Sequence, residues 1–338
     1  MSKLTALNRI GIASWTMQAT ASAPAQARLY AEFVEDVELV EEQGFASVWS
    51  AEHHFWHDGW CPALLHAQAL AAGRTSRVRF AHAMMILPLH DPVALGKAAL
   101  TLDRLCGGRL DLGVALGHRD AEFDGFGRRR DRRGRDMESA LEVLADVWRG
   151  KFGDPEPTQP GGPPIWIGGM APQALERAAR RGHGLVLPPT LSPARTEELL
   201  RPYFAALPPG LGRRPQVGML RDVHITDDPA AARWFARRLR DHYLEEIGAW
   251  WVIDGEVGFA NPANVEKQVA YNERGAIVGD AEQVAAGIAA LFDAGVTHLA
   301  VRLHYDFLDR AAVHEQIVRL ARRVAPILDA EGDSTPGN

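Results

Sequence analysis

The stretch RVRFAHAMMILPLHDPVALGKAALTLDRLCGGRLDLGVALG, residues 77–117, decides how this chain folds. RVRFAHAMMIL reads as a strand. Asp91 then stands where it can cap a helix and Pro92 where it can start one, and Val93, Leu95, Ala98 and Leu102 recur at helical spacing toward Gly107 and Gly108. RLDLGVAL is a strand again. Strand, helix, strand at this spacing is a βαβ unit, whose helical crossover leaves the two strands parallel.

The same alternation continues in both directions. Upstream, RIGIAS (9–14) precedes a helix marked by Leu29, Phe33, Val37 and Val40 and stopped at Gly44; ASVWSAE (46–52) precedes a helix from about Pro62 to Gly73. Downstream, Met137, Leu141, Leu144 and Trp148 mark a helix, followed by a Gly/Pro-rich loop, GKFGDPEPTQPGGPP. Strands resume at PIWIGG, HGLVLPP, VGMLRDVHI and THLAVRLHY, the last between helices at 281–293 and 310–328. Eight strands alternating with helices predict an α/β chain with a closed (β/α)8 TIM barrel as one domain over residues 1–330, loop insertions at its C-terminal face, and a flexible tail at 331–338. Catalytic groups of such a barrel belong at the C-terminal strand ends, here residues 14–15, 51 onward, 84–87, 116–119 and 168–171.

Composition narrows the function. A hydrophobic fraction of 46% and a charged fraction of 24% suit a well-packed globular interior rather than disorder. A net charge of -6 offers no general attraction to nucleic acid or anionic lipid. The run FGRRRDRRGRDMES is interrupted by acids and reads as a solvated loop leading into a helix. Two cysteines, Cys61 and Cys106, are too few for a disulfide framework and lack zinc-site spacing. No leader-like segment and no long apolar run is present, so a cytoplasmic location with no membrane partner is expected.

Two motifs bear on chemistry. In IWIGGMAPQALERAARRG a strand ends at Gly168 and Gly169 and a helix starts near Pro172, so Met170, Ala171 and Gln173 surround unpaired first-turn amides that could seat a phosphate. A tight turn needing glycine for its own geometry explains the same residues. In SVWSAEHHFWHDGW, His53 and His54 are adjacent, and adjacent side chains of a strand face opposite ways. They cannot share a metal while the strand stays regular, and the chain contains no His-x-His, so no metal site is expected. One of the two should face the barrel rim, where an imidazole can move a proton; the other should pack under the helices. Trp15, Trp56 and His57, with Trp250 in the aromatic segment 246–268, are expected to line or cover a substrate pocket, with that segment as a candidate lid. Core packing or a subunit contact would account for these aromatics too.

Four blocks in order, 42–55, 84–117, 164–182 and 277–301, make the chain resemble the bacterial-luciferase-like family of flavin-dependent oxidoreductases over almost its whole length. The resemblance implies a barrel holding reduced FMN, or in some branches a deazaflavin, at the C-terminal mouth. It implies that His53 is the catalytic histidine, that His54 inherits no role, and that a non-proline cis peptide falls near Ala83 and Met84. It places the flavin phosphate on amides from Gly169 to Gln173, with Leu116 and Gly117 beside it. Leu116 stands where many members have a phosphate-supporting arginine, and Met170 and Ala171 where many have serines. These departures suit a weakly held FMN or a deazaflavin. The expected activity is monooxygenation of a small organic substrate with reduced FMN and O2, a separate flavin reductase supplying the flavin to a homodimer. Deazaflavin-dependent hydride transfer is the alternative, and a non-catalytic flavin-binding partner subunit the second alternative.

Overall fold

The computed structural model describes residues 5–15, 17, 23–55, 60–153, 156–211, 215–250, 252–253, 256–257, 270 and 274–334. The eight expected strands are present: β1 (Ile10–Trp15), β2 (Ser47–Ser50), β3 (Arg79–His82), β4 (Leu110–Ala115), β5 (Ile165–Gly168), β6 (Gly184–Leu187), β7 (Val217–Ile225) and β8 (His298–Arg302). Each pairs in parallel with the next, and β8 returns to β1 through Ala13 opposite Arg302, which closes the barrel. A two-residue strand, Met85–Ile86, carries β3 on along β4 after the cis Ala83–Met84 peptide.

The helices are α1 (Ala23–Glu42), α2 (Leu64–Ala72), α3 (Pro92–Leu105), α4 (Asp120–Gly125), α5 (Arg133–Trp148), α6 (Pro172–Arg181), α7 (Pro193–Ala205), α8 (Pro229–Trp250), α9 (Ala281–Asp293), α10 (Arg310–Arg319) and α11 (Ala325–Ser334). The reading of residues 91–92 holds in detail: the Asp91 carboxylate accepts from the Ala94 amide at 2.8 Å, a cap of about 1 kcal/mol, and Pro92 opens the helix where no N–H is needed. α11 runs to Ser334, past the boundary drawn at 330.

Alternation along the strands makes two cores. Ile10, Ile12, Val48, Phe80, Leu112, Ile167, Leu299 and Val301 point outward and are buried under the helices. Ala13, Trp49, Ala81, Trp166, Val186 and Ala300 point inward, and the two indoles meet edge to face at 5.6 Å. Two bulky rings among small neighbours fill the lower barrel, so it is a plug rather than a pore.

Two features were not in the strand count. Ile277–Gly279 forms an outer strand pairing with Val223–Ile225 of β7 as that strand leaves the barrel wall. The loop 150–164 joins a helix to the strand after it and so belongs to the N-terminal end, opposite the mouth. Its Thr158 and Gln159 amides donate to the buried Asp103 carboxylate, at 3.1 and 3.3 Å. Among the described residues no helix is long and apolar enough to cross a membrane.

Candidate active site

Beyond Ser50 the chain leaves β2 and carries Glu52, His53 and His54 over the C-terminal rim. The two histidines part as expected, although they lie in the chain just past β2 and not in the strand itself. His54 is buried, and its Nε2 lies 2.7 Å from Glu52 Oε1. His90 Nε2 reaches the same oxygen at 2.8 Å, and the Ile86 amide donates to Glu52 Oε2 at 2.5 Å. Burial alone would raise the Glu52 carboxyl, but hydrogen bonds from His54, His90 and Ile86 override it and hold the acid well below its ordinary range. An ionised carboxylate only accepts, so both imidazoles donate through Nε2. His54 is thereby tied into a buried brace between β2 and the segment after β3.

His53 turns the other way and stays partly exposed. Its Nδ1 lies 2.9 Å from Glu122 Oε1, which also accepts from the His54 backbone amide at 3.0 Å and faces Arg119 Nη1 at 3.5 Å. Arg119 in turn donates to the His54 carbonyl at 2.9 Å, so the α4 end grips both sides of residue 54. Glu122 is fully buried; burial raises its pKa, but the bond from His53, the charge of His53, the His54 amide and Arg119 carry it below the ordinary value. As an ionised acceptor it makes Nδ1 the protonated nitrogen of His53, which leaves Nε2 as the atom able to accept or deliver a proton. Trp60 packs edge-on to the imidazole at 4.7 Å and is anchored by its own N–H to the Ala51 carbonyl. His118 stands 6.0 Å away, with its pKa pushed down to about 4 by burial and by His53.

The floor beside these residues is built from β3, β4 and β5. The Ala83–Met84 peptide is cis, as expected, and Met84 lies over the interior cluster. Space for it comes from missing side chains: a Cβ on Gly168 would sit 2.7 Å from Met84 Cγ, and one on Gly113 would fall on the His82 carbonyl oxygen. Gly117 has φ 72° and packs where a Cβ would meet Ile86 Cγ2 at 2.5 Å; Leu116 before it is half-buried. Gly169 has φ 136°, accessible to glycine alone, and turns the chain from β5 into α6. Met170, Ala171 and Gln173 are all exposed at that helix start, while Arg180 and Arg181 occupy the last turn. The first turn contains no acidic residue, so nothing there competes for the unpaired amides.

Trp15 is almost fully buried between Phe33 and His304, at ring distances of 6.0 and 4.5 Å, and its indole N–H has no partner among the described residues. Trp56, His57 and most of 246–268 lie outside the described residues; Trp250 ends α8, but its side chain is outside them as well. No group of His, Cys, Asp and Glu suited to a metal occurs among the described residues. A cavity of about 540 Å³, lined by Trp148, Ile165, His183 and Gln216, opens at the N-terminal end of β5–β7, away from these groups. Sequence reading missed Glu122, Arg119 and His118 as partners of His53. The one available signal was their position just after β4.

A family model described as luciferase-like monooxygenase matches residues 9–298. The chain belongs to that family. It is 25% identical over 295 residues to the oxygenase component of a flavin-dependent trigonelline monooxygenase from Acinetobacter baylyi, covering 79% of this chain and 81% of that protein. Another curated relative is 32% identical over 214 residues, and there the chain spans 61% of the relative's length. Among solved structures, the oxygenating constituent of 3,6-diketocamphane monooxygenase from a Pseudomonas putida plasmid, in complex with FMN, shares the fold with TM-score 0.73 at 16% identity, covering 94% of this chain and 98% of that one. An F420-dependent secondary alcohol dehydrogenase shares it with TM-score 0.70 at 17% identity, covering 95% and 98%. For this luciferase-like chain, the glycine-cornered start of α6, its exposed amides and the Met84 shelf fit a flat ring system carrying an anionic tail.

Proposed function

We propose that this chain is the oxygenase component of a two-component monooxygenase that uses reduced FMN and O2 on a small organic substrate, with a separate reductase supplying the flavin. The observation that carries the reading is His53, held by the ionised Glu122 at the same rim of the barrel as the open start of α6. Bound reduced FMN would supply the electrons that activate O2 for insertion into the substrate. Its phosphate would rest on the amides of Met170, Ala171 and Gln173, the Gly169 amide being given to the Val186 carbonyl, near Leu116 and Gly117, with its ring beside Ala83 and Met84. His53 would hold or move the proton at Nε2, which Glu122 leaves available by occupying Nδ1. The Glu52 brace would keep His54 out of the chemistry and fix the peptide that carries His53. Trp56, His57 and Trp250 would shape the substrate pocket, in a homodimeric cytoplasmic enzyme, whereas Trp15, expected there too, packs on Phe33 under α1 instead.

A deazaflavin reading is favoured by one observation: α6 is entered through Met170 and Ala171, which offer no hydroxyl to a phosphate, and Leu116 offers no charge. The non-catalytic reading gives no reason for a buried carboxylate to hold the partly exposed His53 ring as well as the His54 amide and Arg119. Anaerobic fluorescence titrations with reduced FMN and with a reduced deazaflavin, followed by admission of O2, separate the three. Binding of reduced FMN with oxygen consumption coupled to a protein-bound flavin supports the monooxygenase. Tight deazaflavin binding without oxygen consumption would replace it, and FMN binding without oxygen consumption, or binding of neither flavin, would leave the partner-subunit reading.

A further inference from the structure

Across the rim from the α6 start, β7 and β8 carry a buried charge cluster that the roles above do not use. Asp222 is fully buried and accepts four hydrogen bonds: Arg302 Nε at 2.8 Å and Tyr305 OH at 2.6 Å on Oδ1, Arg302 Nη2 and Tyr243 OH, both at 2.7 Å, on Oδ2. Its acceptor capacity is therefore full. Arg221, beside it in sequence and also buried, donates only to the Pro189, Gly275 and Leu191 carbonyls and to the Met219 sulfur, so two guanidiniums share one carboxylate.

Arg302 is the exposed member, with 20% of its side chain open where Asp222 has none. It follows Ala300 by two residues and so faces the barrel interior above the indole plug. Asp222 takes the Nε–Nη2 edge, and Tyr243 lies beside the guanidinium at 5.4 Å from its ring centre. Nη1 has no partner among the described residues, and Nη2 keeps a second proton. The end-on edge of the fork is thus intact, rigidly aimed and unspent, which is the geometry that takes a carboxylate through two parallel bonds.

We infer that Arg302 is a receptor for a substrate carboxylate at the mouth, so that the substrate is a small organic acid. This rests on the reading of that mouth as the place where a substrate reacts beside His53. Arg302 and His53 stand on β8 and just past β2, with β1 between, so roughly 10 Å of rim separates them. A one-ring or short-chain acid spans that distance. The α6 start belongs to β5, three strands away on the other side, so the anion at Arg302 is a second one, distinct from a flavin phosphate.

The test uses the full chain without flavin, titrated calorimetrically with benzoate against benzamide and with hexanoate against hexanamide. The expected result is that at least one acid binds at least tenfold more tightly than its amide, and that Arg302→Gln abolishes the preference. Arg302→Lys keeps the charge but not the fork and is expected to lose most of it; this variant decides if Arg302→Gln does not fold. Equal binding of acids and amides, a preference that survives both substitutions, or an Arg302→Gln effect on reduced FMN binding instead, overturns the assignment. Reduced FMN bound without acid preference sinks the carboxylate site alone, whereas acid preference retained without flavin binding sinks the monooxygenase reading alone.

Discussion

Replacing Glu122 tests whether a buried carboxylate selects the working nitrogen of His53. In Glu122→Ala, the His53 Nδ1–H and the His54 amide lose their acceptor, and Arg119 loses the carboxylate it faces while keeping its bond to the His54 carbonyl. Stranding one partner of a buried ion pair costs about 3–5 kcal/mol. With an unfolding entropy of about 2.1 cal/mol/K per residue, 338 residues give about 0.7 kcal/mol/K, so the melting temperature should fall by about 4–7 °C. Glu122→Gln keeps the volume and one acceptor oxygen, and the loss should be nearer 1.5–3 kcal/mol, or about 2–4 °C. Its amide nitrogen can also donate to Nδ1, which favours the Nε2–H tautomer and removes the nitrogen available as a base. Turnover should then drop by about 100-fold, the lower end of what a positioned proton-transfer group contributes. Calorimetry reads the first effect, and two-bond proton–nitrogen spectra of the imidazoles read the second directly, whatever the substrate. A wild-type melting temperature together with an unchanged Nδ1–H tautomer in Glu122→Gln would refute the reasoning.

The other expectations separate chemistry from framework. His53→Ala should cut turnover at least 100-fold while Glu122 keeps the His54 amide and Arg119, whereas His54→Ala, which leaves the buried Glu52 with only His90 and the Ile86 amide, should lower the melting temperature more than it lowers turnover; the reverse pattern in melting and steady-state assays would exchange their roles. Gly168→Ala should raise the dissociation constant for reduced FMN at least tenfold, because its Cβ displaces Met84; a wild-type fluorescence titration would contradict this. His82 is fully buried with no well-formed hydrogen bond to either ring nitrogen among the described residues, and burial pushes its pKa down to about 4 against a weaker pull from Glu52 and the Asp111 backbone. The unfolded chain takes up a proton near pH 6.5 and the folded one does not, so stability should decline as pH falls from about 6.5 toward 4, by up to about 3 kcal/mol. His82→Phe should remove that part of the decline in urea titrations run across the range, and an unchanged slope would count against it.

The barrel was legible because its determinants are local and periodic. Asp91-Pro92 caps and starts its helix through neighbours in sequence, and outward apolar residues such as Ile10, Ile12 and Val48 carry the strand signal themselves. The opposite facing of His53 and His54 was legible without tertiary information too, although the pair lies past the end of β2 and not in the strand that was expected to hold it. What could not be read was the partner of each: Glu122 lies 69 residues from His53, and Asp222 lies 80 from Arg302, distances set only by barrel closure. The strand Ile277–Gly279 was missed for a related reason. It is three residues long and owes its existence to free edge groups on β7, not to a pattern of its own. Trp15 shows the converse failure, since a position at a strand end does not say whether the ring turns to the mouth or, as here, to Phe33 under α1.

Met84 fits its place only because Gly113 and Gly168 have no side chains, and a Cβ at Gly168 would stand 3.0 Å from its sulfur. The wall of a site proposed to use O2 is then a partly buried thioether pressed against β5. An oxygen atom added to that sulfur would be polar and bulky, so this contact is where oxidative wear would register as a change of shape.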